Sequence, residues 1–341
     1  MLFSIVVPFY KIKKSVIEEN VRSICAQTYA EIEVFLVDDG NTDETPSVLD
    51  RLAQEDSRLH VIHQKNSGVS ASRNYGITAA KGEYIVFVDG DDVLAPYAIE
   101  KIYNAVESFK PDILYAEHIV SNHSFIFPEN ESGKAHRLPD KNIVMRSMIS
   151  STVSQEKGLH GAPWGKAFNT CFLRKNNLHF DTNLPRSQDN EFNFRTLQYT
   201  DKIYYLPVAI YGYRESAESA MTKYRKDSQI IQERYLDTIS ADIALYSKND
   251  VMRHDLDVIT VSKLFDICNT CTLHPDNPAN AVQKLKGVKE LAQNQRYAEA
   301  LSKVSKNDFQ GAAKIFVILL KKRMYSLFCM AHYCRRKIKK L

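Results

Sequence analysis

The stretch Tyr84-Ile-Val-Phe-Val-Asp-Gly-Asp-Asp92 runs a series of β-favouring apolar residues directly into three carboxylates. A strand of this kind is buried on both faces, as in a parallel sheet, so its carboxyl end delivers charge to one place. Carboxylates crowded there repel one another unless a divalent cation or a polar ligand shares the site. Asp89, Asp91 and Asp92 therefore predict such a site. The alternative is that they are turn and helix-cap residues around Gly90.

Outward from this stretch, short apolar runs alternate with amphipathic segments, which is typical of βαβ units. The predicted strands are residues 4–8, 32–38, 59–64, 84–88, 112–118 and 202–213, and Pro207 predicts an edge or a break in the last of them. The predicted helices are residues 14–27, 45–56, 70–80, 96–109, 142–151, 164–176 and 187–199. A hairpin or loop is expected over residues 121–138. The fold class is α/β, a mostly parallel Rossmann-like sheet flanked by helices, with an all-helical extension after residue 225.

The composition is that of an ordinary globular protein, with 341 residues, 44% hydrophobic and 25% charged. The first residues have no basic segment before Pro8 and predict a strand instead of a signal peptide, so we expect a cytoplasmic protein. Six scattered cysteines fit a reducing compartment, and Cys268-x-x-Cys271 is interpreted as a pair of structural helix residues. The net charge is +4, but residues 311–341 carry nine Lys or Arg and no Asp or Glu.

A second acidic strand end, Val37-Asp38-Asp39-Gly40, should reach the same sheet edge as the first, beside Pro8-Phe9-Tyr10. Ligands bind at that edge in open α/β sheets. A carboxylate accepts hydrogen bonds well from the imide of uracil and from ribose hydroxyls. The sequence has no phosphate-binding glycine loop, so phosphates would need a cation and basic side chains. Arg73 is one such side chain, unless it forms a salt bridge with a nearby acid.

Four ordered motifs resemble those of family 2 inverting glycosyltransferases with the GT-A fold, over about residues 3–220. They are S-I-V-V-P-F-Y (residues 4–10), V-D-D-G-N-T-D (37–43), N-S-G-V-S-A-S-R-N-x-G (66–76) and F-V-D-G-D-D (87–92). The resemblance implies that Asp38 meets uracil, that Asp89 meets the ribose or the donor sugar, and that Asp91 binds Mn²⁺ or Mg²⁺. The other implied donor-side residues are Pro8, Tyr10, Asp39, Arg73 and Arg214. Asp39 is expected to be a supporting acid, and Asp92 to cap the following helix.

The acceptor side depends on two further matches to the family. Leu184-Pro-Arg-Ser-Gln188-Asp189-Asn190-Glu191-Phe192 resembles the segment that carries the general base, with Gln188 where Glu is usual. Asp189 is the favoured base, and Glu191 is the alternative and a candidate acceptor contact. Ala162-Pro-Trp164-Gly-Lys166 resembles the W-x-K segment, in which Trp164 would form an acceptor platform with Lys166 beside it, unless the tryptophan is a core residue. The motif Y-x-Y-R-x4-S-x-M around Arg214 would bring a basic residue toward the diphosphate, with no His after it.

The resemblance implies a hexosyltransferase that moves a sugar from a UDP-sugar to a hydroxyl of a lipid-linked or lipid A core glycan in bacterial surface polysaccharide synthesis. A non-catalytic nucleotide-sugar-binding protein and a nucleotidyltransferase on a related fold are the alternatives. The expected organisation is a catalytic domain (residues 1–225), a helical extension (226–310) and a basic amphipathic tail (311–341). The tail's apolar runs are too short to span a bilayer and predict peripheral binding to an anionic membrane, at the inner face of the cytoplasmic membrane, with no nucleic-acid partner. The alternative is a helix packed on the catalytic domain with a solvated basic end.

Overall fold

The computed structural model describes residues 1–128, 132–149, 159–215, 223–246 and 250–339 of the chain. The chain divides into two compact units. The first consists of Met1–Met148 and Ser154–Ser216, and the second of Ile149–Val153 and Ala217–Leu341. The residues predicted to bind the donor and the acceptor belong to the first unit, and the basic tail belongs to the second.

A mixed sheet forms the centre of the first unit, with nine strands among the described residues. They are β1 (Phe3–Phe9), β2 (Ile32–Asp39), β3 (Leu59–Gln64), β4 (Tyr84–Phe87), β5 (Val93–Leu94), β6 (Ile113–Ser121), β7 (His136–Arg137), β8 (Lys166–Asn169) and β9 (Ile203–Arg214). Their order is β3-β2-β1-β4-β8-β6-β9-β5, and β7 pairs with β9. The pairs among β1 to β4 are parallel, as is β6 with β9, whereas β8 is antiparallel to both neighbours.

The helices that alternate with these strands confirm the predicted βαβ pattern. They are α1 (Lys14–Cys25), α2 (Thr45–Glu55), α3 (Val69–Ala79), α4 (Ala98–Phe109), α5 (Lys141–Ile149), α6 (Thr170–Lys175) and α7 (Gln188–Leu197). Helix α1 buries Ile17, Val21 and Ile24, which recur at helical spacing and turn one face toward the sheet. β1, β2 and β4 are buried along their whole length, which explains their continuous apolar runs.

Helix α3 approaches β1 so closely that its Gly76 has no room for a side chain. A Cβ atom there would lie 2.3 Å from Cγ2 of Val6. The absence of a side chain therefore lets α3 pack directly on the strand. This contact fixes the helix that carries Arg73 above the sheet.

The predicted helix over residues 164–176 is wrong in its first part. Residues 166–169 form β8, which lies between β4 and β6, and the helix begins only at Thr170. The short strands β5 and β7 were not predicted, and β7 pairs with β9 instead of forming a local hairpin. The break predicted at Pro207 is confirmed, because the register between β6 and β9 shifts there: Ala116 pairs with Leu206, and Glu117 with Ala209.

The second unit is helical in its described part. Its helices are α8 (Ser228–Tyr246), α9 (Asp250–Ile267), α10 (Ala281–Gln293), α11 (Gln295–Lys303), α12 (Ala312–Lys321) and α13 (Tyr325–Lys339), with a π-helical turn at Cys268–Thr272. This agrees with the predicted helical extension, although α11 was not foreseen as a separate helix. Cys268 is buried in the π-helical turn and Cys271 is half-buried, and both are free thiols.

The basic tail forms the last two of these helices. Phe316, Val317 and Leu320 of α12 are buried, as is Phe328 of α13, so both helices contribute to the core of the second unit. Within the described parts of the chain, no helix is both long and apolar enough to cross a membrane. The division of this region at residue 311 stays a prediction.

Candidate active site

The two acidic strand ends meet at one edge of the sheet, as the sequence predicted. β2 lies beside β1 with Asp38 paired to Phe9, and β4 lies on the other side of β1 with Phe87 paired to Val6. Because these strands are parallel, their carboxyl ends point the same way. The acid turn, defined as residues 89–92, therefore follows β4 at the edge where Asp38 and Asp39 end β2.

Asp38 is buried, and its carboxylate is held by two residues that sequence analysis missed. Oδ1 accepts hydrogen bonds from the backbone N–H of Asn41 (3.0 Å) and from its Nδ2 (2.7 Å), and Oδ2 lies 2.8 Å from Nδ1 of His63. The hydrogen bond to Asp38 raises the pKa of His63. Asn41 also donates to the carbonyl of Phe9, which ties β1 to β2. Carboxylate oxygens can accept further bonds, so the uracil contact of Asp38 stays a prediction.

Asp39 organises the loop that leads into α3. Its Oδ1 accepts from Nε2 of Gln64 (2.8 Å) and from the backbone N–H of Ser67 (2.8 Å), and its Oδ2 accepts from the N–H of Gly68 (2.9 Å). Both oxygens are therefore used by the protein. Asp39 thus holds this loop, and its supporting role in donor binding stays a prediction.

Arg73 forms the salt bridge that sequence analysis left open as the alternative to a ligand contact. Its Nη2 donates to Oδ1 of Asp89 at 2.6 Å, and its guanidinium lies 5.3 Å from the ring centre of Phe180. The residue is only 3% exposed. Among the described residues, neither its Nε nor its Nη1 has a hydrogen-bond partner. Arg73 thus pairs with one acid and keeps two buried donor nitrogens that can donate to a ligand.

Asp91 is a buried carboxylate beside another acid, with Arg214 as the basic group that acts against this repulsion. Burial and the neighbouring Asp89 raise the pKa of its carboxyl group, and no basic side chain among the described residues forms an ion pair with it. Such a carboxylate would be stabilised by a cation.

The described residues contain no cluster of three or more His, Cys, Asp or Glu side chains that could enclose a metal. Mg²⁺ is usually held by one or two carboxylates together with substrate phosphates and water, without a complete protein cage. Asp91 and the acid turn fit that kind of cation. They do not fit a structural metal with four protein ligands.

Asp92 does not cap the following helix, so that prediction is wrong. Its Oδ2 accepts from the hydroxyl of Tyr211 (2.6 Å), and its Oδ1 from the backbone N–H of Arg214 (2.7 Å). Burial, reinforced by Asp89 and Asp91, raises the pKa of Asp92 to about 8. The physical reason is that β5 follows the acid turn and pairs with β9, which delays α4 to Ala98 and directs Asp92 into the interior.

Two further side chains hold the acid turn. Nδ2 of Asn20, buried on α1, donates to the carbonyls of Asp89 (3.0 Å) and Asp92 (2.8 Å). Nε of Arg214 donates to the carbonyl of Asp91 (2.8 Å), while its Nη2 pairs with Glu19 at 2.7 Å. Asn20 was missed, although a polar residue within the apolar face of α1 was the available signal.

Arg214 lies next to the acid turn as expected, and its contact with a diphosphate stays a prediction. The Ser and Met that complete its motif, residues 219 and 221, lie outside the described residues.

Asp189 lies in the first turn of α7 within electrostatic range of Arg73 and Asp89. Burial raises the pKa of its carboxyl group, and Arg73 acts in the opposite direction. The backbone N–H of Asn190 donates to Oδ1 at 2.9 Å. The preceding Ser187 adopts φ +57°, a conformation that is costly for a residue other than glycine. The fold thus brings Asp189 to the same site as Asp89, although about a hundred residues separate the two in the sequence.

Glu191 has a different environment, although it is only two residues away from Asp189. Its side chain is 2% exposed and forms an ion pair with Arg195, whose Nε donates to Oε1 and whose Nη2 lies 3.2 Å from Oε2. Arg195 also donates to the carbonyl of His179. This burial and ion pair disagree with a direct contact between Glu191 and an acceptor. Asp189 as the general base stays a prediction.

Trp164 and Lys166 are core residues, and the predicted open acceptor platform is wrong. The indole is 8% exposed and stacks on Tyr211 (centroids 4.7 Å apart) and Tyr213 (5.2 Å). Lys166 is fully buried, and its Nζ donates to the carbonyls of Ala162 and Trp164. Burial lowers the pKa of Lys166 well below its usual range. Lys166 is enclosed because β8 lies in the middle of the sheet, and Trp164 is covered by the two tyrosines of β9.

The remaining donor-side candidates lie at the carboxyl end of β1. Pro8 is buried in the strand, and Tyr10, just beyond its end, is 45% exposed. An exposed aromatic ring next to the acidic edge can pack against a planar base. The roles of Pro8 and Tyr10 stay predictions.

Comparisons with known proteins agree with this geometry. Residues 4–157 match the model of the glycosyl transferase family 2. The uncharacterized glycosyltransferase EpsJ of Bacillus subtilis is 27% identical over 304 residues, which is 84% of this chain and 83% of the relative.

Two solved structures share the fold. The S. aureus TarS fragment 1–349 in complex with UDP-GlcNAc has a TM-score of 0.66 and 18% identity, and the match covers 99% of this chain and 92% of that one. The mannosyltransferase PcManGT of Pyrobaculum calidifontis, in complex with GDP-Man and Mn²⁺, has a TM-score of 0.51 and 16% identity, with coverages of 99% and 88%. The nine-stranded sheet with its helices is therefore a GT-A-like glycosyltransferase fold, which confirms the predicted fold class.

Proposed function

We propose a specific reaction for this chain, which belongs to the glycosyl transferase family 2 through its residues 4–157: the inverting transfer of a hexosyl residue from a UDP-sugar to a hydroxyl group of a glycan acceptor. The observation that carries this proposal is the arrangement of Asp91, Arg73 and Asp189 at one sheet edge. A carboxylate with a raised pKa and no ion pair among the described residues, a buried guanidinium with two unpaired donor nitrogens and a second carboxylate with a raised pKa are assembled there.

The donor would bind at the acidic edge formed by β1, β2 and β4. Asp38 and Tyr10 would contact the uracil, with Pro8 in the strand beside them and Asp39 holding the loop below. Asp89 would accept from the ribose or the sugar, while Arg73 and Arg214 approach the diphosphate. The S. aureus relative in complex with UDP-GlcNAc supports a nucleotide-sugar donor of this type.

Asp91 would hold Mn²⁺ or Mg²⁺ together with oxygens of the diphosphate. A bound cation neutralises the negative charge that develops on the leaving UDP. The raised pKa of Asp91 supports this role, because a cation would remove the repulsion between its carboxylate and Asp89. The mannosyltransferase that was solved with Mn²⁺ supports the same chemistry on this fold.

Asp189 would act as the general base on the acceptor side. It would take the proton of the acceptor hydroxyl while the oxygen bonds to the anomeric carbon and the bond from that carbon to UDP breaks. Its partly buried position suits this task, because a carboxylate with a raised pKa accepts a proton more readily near neutral pH.

The acceptor would be a lipid-linked or lipid A core glycan of a bacterial surface polysaccharide, reached at the inner face of the cytoplasmic membrane. The support for this location is the charge distribution: residues 311–341 contain nine Lys or Arg and no acid, together with apolar runs. Polybasic segments of this kind are attracted to anionic lipid. A nucleic-acid partner is not proposed, because apolar residues are interleaved with the basic ones.

The proposal can be tested by measuring UDP release from a panel of UDP-sugars with an acceptor, in the presence and absence of Mn²⁺ and Mg²⁺. We expect Asp189→Asn to reduce transfer by about 10²- to 10⁴-fold while UDP binding is retained. We expect Asp91→Asn to abolish the cation-dependent transfer, because the carboxylate that would hold the cation is lost. Asp140→Asn changes an exposed carboxylate of the same unit and should have no effect. Full transfer by the Asp189 variant would contradict the assigned base, and pyrophosphate as the product would indicate a nucleotidyltransferase.

A further inference from the structure

The outward face of α13 is apolar. Leu327, Met330, Tyr333 and Ile338 are 41%, 59%, 59% and 82% exposed. Leu327, Met330 and Ile338 recur near helical spacing along one side of the helix, with the exposed Cys334 between the last two. At 1.5 Å per residue, this side extends over about 16 Å. A surface helix of a soluble domain normally turns polar residues outward.

The inward face of the same helix is fixed by its own contacts, so the apolar face cannot simply rotate inward. Phe328 and His332 pack against Phe316 of α12, with ring centroids 5.1 Å and 5.8 Å from it. Arg336 is 8% exposed and its Nη1 donates to the carbonyl of Asn269 at 2.8 Å. The helix therefore buries a histidine and an arginine while it exposes leucine, methionine and isoleucine.

A groove extends this apolar face onto α10. Val282 and Leu285 of α10 line it from one side, and Met324 and Leu327 from the other, enclosing about 540 Å³. Val282 is 76% exposed. We call the groove and the outward side of α13 together the apolar face.

Basic residues surround this groove. Lys286 and Lys289 of α10 and Arg323, which precedes α13, line its rim. Glu290 is the acid on this part of α10, and it is already paired with Lys286 at 3.7 Å. Residues 311–341 contribute no acid at all. The charge around the groove is therefore positive, which complements an anionic surface.

We propose that the apolar face docks on an anionic phospholipid bilayer, with Leu327, Met330 and Val282 entering the boundary between headgroups and acyl chains and with Lys289 and Arg323 contacting lipid phosphates. This inference deepens the membrane partner that is part of the proposed function, and it does not depend on the transfer reaction. The second unit would bind as a folded surface, because α13 is already held in place by Arg336 and Phe328. An interfacial helix of this type needs both an apolar face and basic flanks.

A second copy of the chain is the competing occupant. A two-fold symmetric contact would place each basic rim opposite an identical rim, or close to it. Like charges brought together in this way are unfavourable, and the described residues of the rim offer only Glu290 to offset them. The charge therefore favours lipid over self-association.

The first test measures sedimentation of the full-length protein with phosphatidylcholine vesicles that do or do not contain phosphatidylglycerol. We expect binding to the anionic vesicles, weakened about tenfold for each apolar residue removed in Leu327→Ser and Met330→Ser. Lys289→Gln and Arg323→Gln should each weaken it about fivefold. Ile230→Ser removes an exposed apolar residue of α8 and is the matched control, expected to bind like the unmodified protein.

The second test uses the two exposed cysteines with a polarity-sensitive fluorophore. Cys334 lies on the apolar face and Cys171 lies in the first unit, so labelled Cys171→Ser and Cys334→Ser proteins form a matched pair. We expect anionic vesicles to shift the emission to the blue only when Cys334 is present.

Unchanged sedimentation of the Leu327 and Met330 variants would overturn the inference. The inference would also be overturned if the unmodified protein bound no vesicles and formed a dimer that became a monomer in these variants. Transfer to a soluble acceptor separates this inference from the proposed reaction. A protein that transfers sugar without binding vesicles contradicts only the docking surface, whereas one that binds vesicles without transferring sugar contradicts only the reaction.

Discussion

At the residue scale, the surroundings of Asp189 and Glu191 give two nearby carboxylates different chemistry. Asp189 is partly buried and lies within electrostatic range of Asp89 in the acid turn. It has no ion pair among the described residues. Glu191 is enclosed and neutralised by Arg195. A base must be able to reach the proton that it abstracts, so accessibility separates the two acids more sharply than their positions in the sequence do.

We therefore predict that Glu191→Gln lowers stability and leaves the chemistry of the folded protein intact. The substitution leaves Arg195 largely buried without its carboxylate, which should reduce the free energy of unfolding by about 3 kcal/mol. Chemical denaturation measures this loss, and transfer activity per folded molecule should stay close to that of the unmodified protein.

The double variant Glu191→Gln with Arg195→Met is the control, because it removes both partners and should recover part of the stability. A loss of transfer in a stably folded Glu191→Gln protein would instead return Glu191 to the role of base.

At the element scale, α13 combines a neutral histidine in its packed face with an apolar outer face. Burial, together with Arg336 and Arg335, lowers the pKa of His332 from 6.5 to about 4. The imidazole is uncharged near neutral pH and must become charged in acid. Because the folded pKa lies below the unfolded one, the unfolded chain binds the proton more readily, and stability falls as the pH decreases.

We predict that the second unit loses up to about 3 kcal/mol of stability between about pH 6.5 and about pH 4 because of this one group. His332→Phe keeps a ring against Phe316 and Phe328 but cannot bind a proton, so its stability should depend less on pH over this range. Denaturation followed by far-ultraviolet circular dichroism at several pH values provides the measurement. Identical pH dependence in the two proteins would show that His332 is not the responsible group.

At the scale of the whole molecule, the chain forms two compact units, each with its own apolar core. The only tryptophan, Trp164, lies in the first unit, and the fully buried Cys268 lies in the second. Fluorescence and thiol alkylation can therefore follow the two cores separately.

We predict that core substitutions act on one unit at a time. Leu264→Ala in α9 should destabilise the second unit by about 2–5 kcal/mol and advance alkylation of Cys268 to lower denaturant, with little change in the Trp164 transition. Leu36→Ala in β2 is the matched change in the first unit and should have the opposite pattern. Both residues are fully buried. Equal shifts of both signals in either variant would mean that the two units unfold as one.

Sequence patterns were sufficient for the parts of this protein that depend on neighbouring residues. The bounds of β3 were predicted to the residue, and those of β1, β2, α2 and α3 to within one or two. Apolar periodicity reports burial of a face, and parallel strands necessarily end at a common edge, so the meeting of Asp38 with the acid turn was foreseeable. The placement of Asp189 came from resemblance to a family, since nothing local connects it with Asp89.

Only the tertiary structure decided which side chains are enclosed and which partner each one has. Asp92 bonds to Tyr211, 119 residues away, so local turn chemistry could not reveal that it is not a cap. The insertion of β8 between β4 and β6 encloses Lys166, and stacking on Tyr211 and Tyr213 covers Trp164, for which sequence analysis left both an acceptor platform and a core position open. Likewise, the sequence of α13 marked it as basic and apolar, but contacts with Phe316 and Asn269 determine which face is outside. Periodicity describes one segment, whereas burial and pairing depend on which distant segments meet.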